Sequence, residues 1–544
     1  MADLVINDRE SWVNDSIDGT LYTQQHNNLS RLDFGNDIKV IARSDWRKDK
    51  VAIMCGGGSG HEPAHAGFVG KGMLTAAVCG DLFAAPSVDA VLNAILHVTG
   101  DAGCLVIIKN YTGDRLNFGL ACEKAKEMGR KVEMVIVSDD ISIPDNPKPR
   151  GIAGTLFVHK VAGYVAEQGE DLAAVTKAAQ DTIDATASIG IALQSCTLPS
   201  DNTEERIAKG KAELGLGIHG EAGIETIDLS QCKELVRIMS DKLLTACPSD
   251  SHAVLINNLG GLSPIEMNVV AKDVVESALG ENAEYFIGPA PLMTAIDMKG
   301  FSISMLKLDE LKRAALFADS QTSAWPGVSA KQPLAFTPCE SLSSTVKFAA
   351  SKNDEVASAL RTVCNTIIDS ESALNHLDAI VGDGDTGSTF ASGARKVLAE
   401  LDANQLPLNE PALLMTVIGQ QLTTVMGGSS GVLLSIFFTA AGRELAGNND
   451  LVAALQAGLA RMMHYGGAAV GDRTMIDALF PAFEAWNKDG FSAGVLAAKA
   501  GAESTLTMTK ANAGRSSYLN SDTLDGVKDP GAFAVEKVFE SLSK

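Results

Sequence analysis

The residues best suited to chemistry fall into four short clusters. The tightest is LDAIVGDGDTGST at 377–389, which brings Asp378, Asp383 and Asp385 close together. Carboxylates at such quarters repel one another unless a cation neutralises them. An all-oxygen donor set suits Mg²⁺, which keeps waters and shares its shell with phosphate oxygens. No glutamate closes the loop in the manner of an EF-hand. Thr386, Gly387, Ser388 and Thr389 follow at a predicted helix start, where N–H and hydroxyl donors collect an anion. The structural alternative is a solvated acidic turn.

The second cluster is MCGGGSGHEPAHAGFVGKGM at 54–73, a predicted strand running into glycines and then His61, Glu62 and His65. Its backbone N–H groups allow a small ligand close approach. A dinucleotide fingerprint is excluded, because His61 stands where the third glycine is required. A Walker A loop is excluded, because Gly72 follows Lys71. The third is IIKNYTGD at 107–114, with Lys109 closing an apolar strand and Asp114 across a turn. A strand's carboxyl end is where α/β proteins place ligand contacts, although many such pairs are plain surface ion pairs. In the fourth, ELGLGIHGEAG at 213–223, glycines surround His219 and keep it out of a helix. An accessible imidazole in such a loop is a candidate nucleophile or base rather than a packed core histidine. Further donors stand in the glycine-containing loops MGGSSG (426–431), GDRTM (471–475) and KANAGRSSYL (510–519). Each alone is a plausible helix cap; several beside an aspartate cluster suggest a nucleotide phosphate site.

Two kinds of domain must position these groups. Up to about residue 320, apolar strands alternate with helical stretches: strands at 50–55, 104–109, 131–137, 252–259, 284–290 and 301–308, helices at 115–129 and near 263–279. That alternation predicts α/β layers, and the charged, glycine-rich break near 195–225 divides them into two lobes. Serines and prolines crowd 320–345 as in a linker. Beyond it strand signals vanish, and helices are predicted at 352–377, 388–402, 411–425, 432–447, 451–465, 474–487, 491–506 and 531–543. Residues 411–442 carry no charge, but Gln420, Gln421 and GGSSG break them into two buried helices rather than a membrane span.

Composition narrows the partners. The net charge is −22 over 544 residues and aromatics are 5%, so neither nucleic acid nor an anionic membrane is an expected partner. Nine cysteines without a CxxC pair fit a reduced, cytoplasmic setting. The start, MADLVINDRESW, has no basic run followed by an apolar stretch, so no signal peptide is expected.

In order along the chain, GGGSGHEPAH, GKGMLTAAVCGD, IKNYTGDRLNFG, DDISIPDN, RGIAGT, GIHGE, NNLGG, DMKGFS, VGDGDTGST, MGGSSGVL, GDRTMIDAL and ANAGRSSYL resemble the pattern of the dihydroxyacetone kinase family in its single-chain, ATP-dependent form. The resemblance covers nearly the whole chain. It implies a multidomain fold: a two-lobed α/β substrate domain at 1–325, a linker at 326–348, and an all-α helical barrel nucleotide domain at 349–544. It implies that Gly58, Ser59, Gly60, His61, Lys109 and Asp114 hold dihydroxyacetone, and that His219 bonds covalently to its carbonyl as a hemiaminal. Asp378, Asp383 and Asp385 would hold two Mg²⁺ ions bridging the ATP phosphates. Gly387, Ser388, Thr389, Phe390, Ser429, Ser430, Gly471, Arg473, Asp529, Pro530 and Gly531 would line the nucleotide pocket. Phosphoryl transfer also needs a base near the attacking hydroxyl; Asp114 and His61 are the candidates, with Asp114 favoured and His61 assisting. The family implies a homodimer. It also contains members that phosphorylate glyceraldehyde or convert FAD to cyclic FMN; an alternative from a different class is a carbonyl-ligand sensor that binds dihydroxyacetone without turnover. The intact aspartates argue against a sensor, and fusion of both domains argues against a phosphotransferase-coupled form.

Overall fold

A computed structural model describes residues 4–32, 39–143, 146–198, 206–219, 221, 223–339, 347–513, 517 and 521–544. In the N-terminal part, apolar runs build two sheets. The first contains β1 (Leu29–Arg31), β2 (Val40–Arg43), β3 (Ala52–Ser59), β4 (Ala76–Leu82), β5 (Cys104–Lys109) and β6 (Val132–Val137), ordered β1-β2-β4-β3-β5-β6. The last four run parallel, while β1 and β2 form an antiparallel edge. The second contains β7 (Thr186–Ala192), β8 (Lys211–Leu214), β9 (Glu225–Asp228), β10 (His252–Asn258), β11 (Ala283–Ala290), β12 (Gly300–Lys307) and β13 (Ser329–Ala330). Their order is β13-β11-β10-β12-β7-β8-β9, antiparallel except between β10 and β11.

Strand alternation sends successive residues to opposite faces. Ala52, Met54, Val106 and Ile108 pack toward α2 (Val88–Val98) and α3 (Thr112–Glu127). Ile53, Cys55, Leu105 and Ile107 pack toward α4 (Thr155–Glu167) and α5 (Leu172–Asp184). The second sheet covers one face with α6 (Cys232–Ala246), α7 (Pro264–Glu276) and the short α8 (Ala278–Glu281). Its other face, through Ala253, Leu255 and Leu306, joins the same core as Ile53 and Leu105. The two lobes thus share one interior, with α4 and α9 (Glu310–Phe317) packed within it. The first helix, α1 (Trp12–Tyr22), precedes β1.

The chain leaves β3 on one side for β4 and returns on the other for β5, which opens a crevice at the carboxyl end of β3. Gly56 makes that packing possible: a Cβ there would stand 2.4 Å from the Val78 carbonyl oxygen. Two expectations shift. The helix after β5 begins at Thr112 rather than 115, so Asp114 lies in its first turn and is buried. The stretch from 326 begins with residues still joined to the second sheet, since Ser329 and Ala330 pair with Phe286 and Tyr285. The first compact unit therefore runs to Phe336 and the second is Thr337–Lys544.

The second unit is all helical. The expected helix at 352–377 is two: α10 (Asp354–Asp369) and α11 (Glu371–Val381), parted at Ser370. Then follow α12 (Thr386–Asp402), α13 (Pro411–Val425), α14 (Gly428–Asn448), α15 (Leu451–Gly466), α16 (Ile476–Asp489), α17 (Phe491–Ser504), the short α18 (Ser521–Leu524) and α19 (Pro530–Leu542). The order α10, α12, α13, α14, α15, α16, α17, α19 packs each helix on the next, and α19 returns to α10, closing a barrel. Its interior is apolar, with Phe390, Met426 and Ile418 in one cluster and Phe437, Phe483 and Phe539 in another. The uncharged stretch at 411–442 is α13 and α14, and no described helix is long and apolar enough to cross a membrane.

Candidate functional site

In the first unit, the ends of the central strands converge with the loop between β8 and β9. Gly58 and Ser59 close β3 and Gly60 follows; the Ser59 hydroxyl donates to the Gly80 carbonyl at 2.7 Å. His61 is fully buried. Its Nδ1 lies 2.8 Å from the Thr294 carbonyl oxygen, and its Nε2 has no partner. A carbonyl can only accept, so Nδ1 carries the proton and Nε2 offers a lone pair. The Ile296 N–H donates to the Gly60 carbonyl at 2.8 Å, so the second lobe grips both ends of this turn. Burial above all, then the Lys109 and His219 charges, hold His61 well below the ordinary imidazole range.

Lys109, the last residue of β5, is fully buried and its Nζ lies 2.8 Å from His65 Nε2. Asp114 rises from the first turn of α3. A Cβ on Gly57 would stand 2.9 Å from Lys109 Nζ and 3.5 Å from Asp114 Oδ2, so the missing side chain leaves a space that both groups border. Burial raises the Asp114 carboxyl above its ordinary value, with Lys109 and His219 opposing.

His219 joins them from the second lobe. Its ring centroid is 4.8 Å from that of His61, 4.3 Å from Tyr111 and 5.6 Å from Phe83. Its Nδ1 faces Glu221 Oε1 at 3.6 Å, and its backbone N–H donates to Glu221 Oε2 at 2.9 Å. Burial works to raise the Glu221 carboxyl, but hydrogen bonds and charge from His219 outweigh it and bring it to about 2. The structure therefore brings His61, Lys109, Asp114 and His219 to one place. Tyr111, Phe83 and Glu221 are additional walls and anchors that sequence reasoning passed over. The nearest signal is their position: Tyr111 and Glu221 lie inside the quoted motifs at 107–114 and 213–223, and Phe83 two residues beyond GKGMLTAAVCGD. A cavity of about 300 Å³ shares Ser59 and Gly60 with this site but is otherwise walled by residues such as Trp12, Glu62 and Leu82, apart from the chemical groups.

In the second unit, Asp378, Asp383 and Asp385 offer carboxylate oxygens that all lie within 4.8 Å of one another. Asp378, on α11 and 7% exposed, accepts from the N–H groups of Asp385 and Thr386 through Oδ2 at 3.0 and 3.1 Å. This pins the start of α12 and leaves Oδ1 beside two exposed carboxylates, a donor set that fits hard divalent cations. Asn375, unmarked in the sequence reading, exchanges hydrogen bonds with Ser388 at 2.9 and 3.0 Å. Thr389 is half-buried and Phe390 buried in the barrel core; Gly387 is a close-packing glycine whose Cβ would meet the Glu371 carbonyl oxygen at 2.2 Å.

Ser429 and Ser430 occupy the first turn of α14 rather than a loop. Gly471 and Arg473 stand in the loop before α16, which buried Asp477 shapes by accepting from the Gly471 and Thr474 N–H groups at 2.5 and 2.7 Å. Arg473 is 1% exposed with φ +63°; its Nη2 donates to the Val527 carbonyl at 2.7 Å, while Nε and Nη1 have no partner. Asp529 caps α19 through the Ala532 N–H at 2.7 Å, Pro530 is its first residue, and Gly531 packs on Met475. Thus 471–475 and 527–531 are brought together. Of the loop at 510–519, residues 514–516, 518 and 519 lie outside the described residues, as does Gly220 beside His219.

Comparison with known proteins agrees with both halves. A Dak1 domain model matches residues 21–324 and a DAK2 domain model residues 380–544. The chain is 52% identical to a dihydroxyacetone kinase of Citrobacter freundii, over 100% of this chain and 99% of that one. It is 39% identical to a triokinase/FMN cyclase of Bos taurus, over 93% of each. The crystal structure of the C. freundii kinase in complex with AMP-PNP and Mg²⁺ matches with a TM-score of 0.75 and 50% identity, covering 100% of this chain and 99% of that one. With both domains on one polypeptide, the chain belongs to the dihydroxyacetone kinase family as an ATP-dependent kinase.

Proposed function

We propose that this protein transfers the γ-phosphate of ATP to dihydroxyacetone, which is held on His219 as a covalent hemiaminal. The observation that carries this reading is the placement of His219 against His61, with Lys109 and Asp114 bordering one space at the ends of β3 and β5. With Nδ1 turned to Glu221, His219 presents Nε2 to a carbonyl carbon. The C–N bond forms as the carbonyl π pair moves to oxygen; that oxygen gains the proton that the imidazole loses, so no atom leaves. Lys109 donates to a substrate oxygen. Asp114, its carboxyl raised by burial, takes the proton of the terminal hydroxyl. His61 assists through its bare Nε2, which accepts from a second substrate hydroxyl and so orients the substrate.

Asp378, Asp383 and Asp385 hold two Mg²⁺ ions, which when bound neutralise the charge on the ATP phosphates. The start of α12 at Gly387–Phe390, the first turn of α14 at Ser429 and Ser430, Gly471 with Arg473, and 529–531 line the nucleotide pocket. In this reading the first compact unit, to Phe336, is the substrate domain and the helical part of the second unit, Thr337–Lys544, is the nucleotide domain. The protein works as a homodimer in the cytoplasm, and its nine unpaired cysteines support a reducing setting. Likeness to triokinase/FMN cyclases favours a second reading in which glyceraldehyde is phosphorylated as well, or FAD is converted to cyclic FMN.

The test is ADP release with Mg²⁺ and ATP in the presence of dihydroxyacetone, glyceraldehyde or glycerol, with FAD assayed in parallel. Turnover is expected with dihydroxyacetone and essentially none with glycerol, which lacks an electrophilic carbon. No turnover with dihydroxyacetone would overturn the reading, and comparable turnover of glycerol would remove the covalent step.

A further inference from the structure

Lys109 is held by an unusual partner. Its Nζ lies 2.8 Å from Nε2 of His65, and among the described residues no carboxylate forms an ion pair with it. Both side chains are buried, Lys109 completely and His65 to 4% exposure. An ammonium has no acceptor, so His65 must accept through Nε2 and carry its proton on Nδ1. That Nδ1 has no partner, and neither ring nitrogen of the adjoining His159 has one, although both residues are buried. The two rings meet edge to face at 5.2 Å. Burial first, and then the Lys109 charge, hold both histidines below the ordinary imidazole range, His159 at about 3. Buried donors without partners are rare, and a site that tolerates them is under some other constraint.

The constraint is visible in the space that Nζ borders at Gly57. The empty Cβ position of Gly57 is 2.9 Å from Lys109 Nζ, in the space that Asp114 also borders. A carboxylate in place of His65 would neutralise the ammonium, and a hydrocarbon would leave one of its N–H groups unpaired in a dry interior. A neutral imidazole acceptor does neither. We propose that His65 is a positioning residue for Lys109: as an uncharged acceptor it fixes the ammonium at the floor of the substrate pocket and leaves its positive charge for the substrate's oxygens. This rests on the reading of Lys109 as a dihydroxyacetone contact. It explains why the group in hydrogen-bond contact with Lys109 Nζ is a histidine rather than an acid, and it assigns the second histidine of GGGSGHEPAH a task distinct from that of His61.

The experiment compares His65→Leu with His65→Gln in the full chain, each alone and combined with Lys109→Met. Removing an acceptor from a charged donor should raise the KM for dihydroxyacetone by about tenfold or more, with a much smaller change in kcat and none in ATP-analogue affinity. Gln, a neutral acceptor, should recover most of the loss. Adding His65→Leu to Lys109→Met should cost nothing further, because the partner is already gone. Equal losses in the Leu and Gln variants, or losses that multiply with Lys109→Met, would overturn the proposal. Histidine-selective ¹⁵N NMR supplies a readout that does not need turnover. The His65 signals, assigned by their loss in His65→Gln, should report an Nδ1-protonated neutral ring whose Nε2 shifts in Lys109→Met. An Nε2-protonated ring would overturn the proposal even in a protein that phosphorylates something else, whereas a wild type inert toward dihydroxyacetone with the expected tautomer would count against the functional reading alone.

Discussion

His219 differs from the other buried histidines in what surrounds it. His61 and His65 are locked by a carbonyl and an ammonium, whereas His219 is partly exposed, anchored through Nδ1 by Glu221 and flanked by the edges of Tyr111 and Phe83. The carbonyl capture proposed for that ring would separate a ketone from a polyol of similar size, which hydrogen bonds alone do poorly. His219→Ala should therefore lower kcat/KM for dihydroxyacetone by about a hundredfold or more while leaving ATP-analogue affinity unchanged, measurable by ADP release and calorimetry. As the proposed base, Asp114 is the group expected to set the pH response. A base works only when deprotonated, so activity rises with pH through its pKa. Because burial raises that pKa, the acidic limb of kcat/KM should lie above the ordinary carboxylate value of about 4. Asp114→Asn should lower kcat by about 10²–10⁴-fold and abolish that limb; a pH–rate profile checks both.

Each of these residues depends on the end of a strand or helix. Strand β3 carries its glycines up to the site because side chains do not fit: Gly56 lies against the Val78 carbonyl, and Gly57 leaves the space beside Lys109 and Asp114. Gly57→Ala should raise the KM for dihydroxyacetone well beyond any effect on nucleotide binding, read from steady-state kinetics. At α12, Asp378 serves the fold as well as the proposed cation site, since its Oδ2 satisfies two N–H groups at the helix start. Asp378→Ala should cost about 1–3 kcal/mol in urea unfolding. Asp383→Asn, at an exposed position, should lose Mg²⁺-dependent ADP release with a much smaller loss of stability. Much of this was legible in the chain. CLVIIK is β5 residue for residue because Gly103 and Asn110 bound an unbroken apolar run, and α13 spans its expected 411–425 because Pro411 starts it and glycines follow. Thr112–Asp114 read as a turn because Gly113 lies among them, yet the sheet seats the helix from Thr112. The pairings His61–Thr294 and His65–Lys109 were not legible, since 233 and 44 residues of sequence separate partners that only the packed lobes bring together. Asp477 lies within GDRTMIDAL, yet its work in holding the 471–474 loop emerges only from the backbone N–H groups around it.

For the molecule as a whole, the chain divides into two compact units at Phe336–Thr337, and the proposed function assigns carbonyl chemistry to the α/β unit and phosphate chemistry to the helical one. Such a division predicts that each function can be lost alone. Mixing His219→Ala chains with Asp383→Asn chains should restore ADP release if the proposed homodimer transfers phosphate between subunits, and leave both inactive if transfer stays within one chain. The central claim, that the substrate is bound covalently before phosphate moves, has a direct measurement. Protein labelled with ¹⁵N in histidine is mixed with dihydroxyacetone carrying ¹³C at its carbonyl carbon, without nucleotide, and followed by ¹³C NMR. The predicted result is a tetrahedral carbon signal with a one-bond coupling to nitrogen, absent in His219→Ala and converted to dihydroxyacetone phosphate when Mg²⁺ and ATP are added. Signals of the free ketone and its hydrate alone, with no carbon–nitrogen coupling while turnover proceeds, would contradict it.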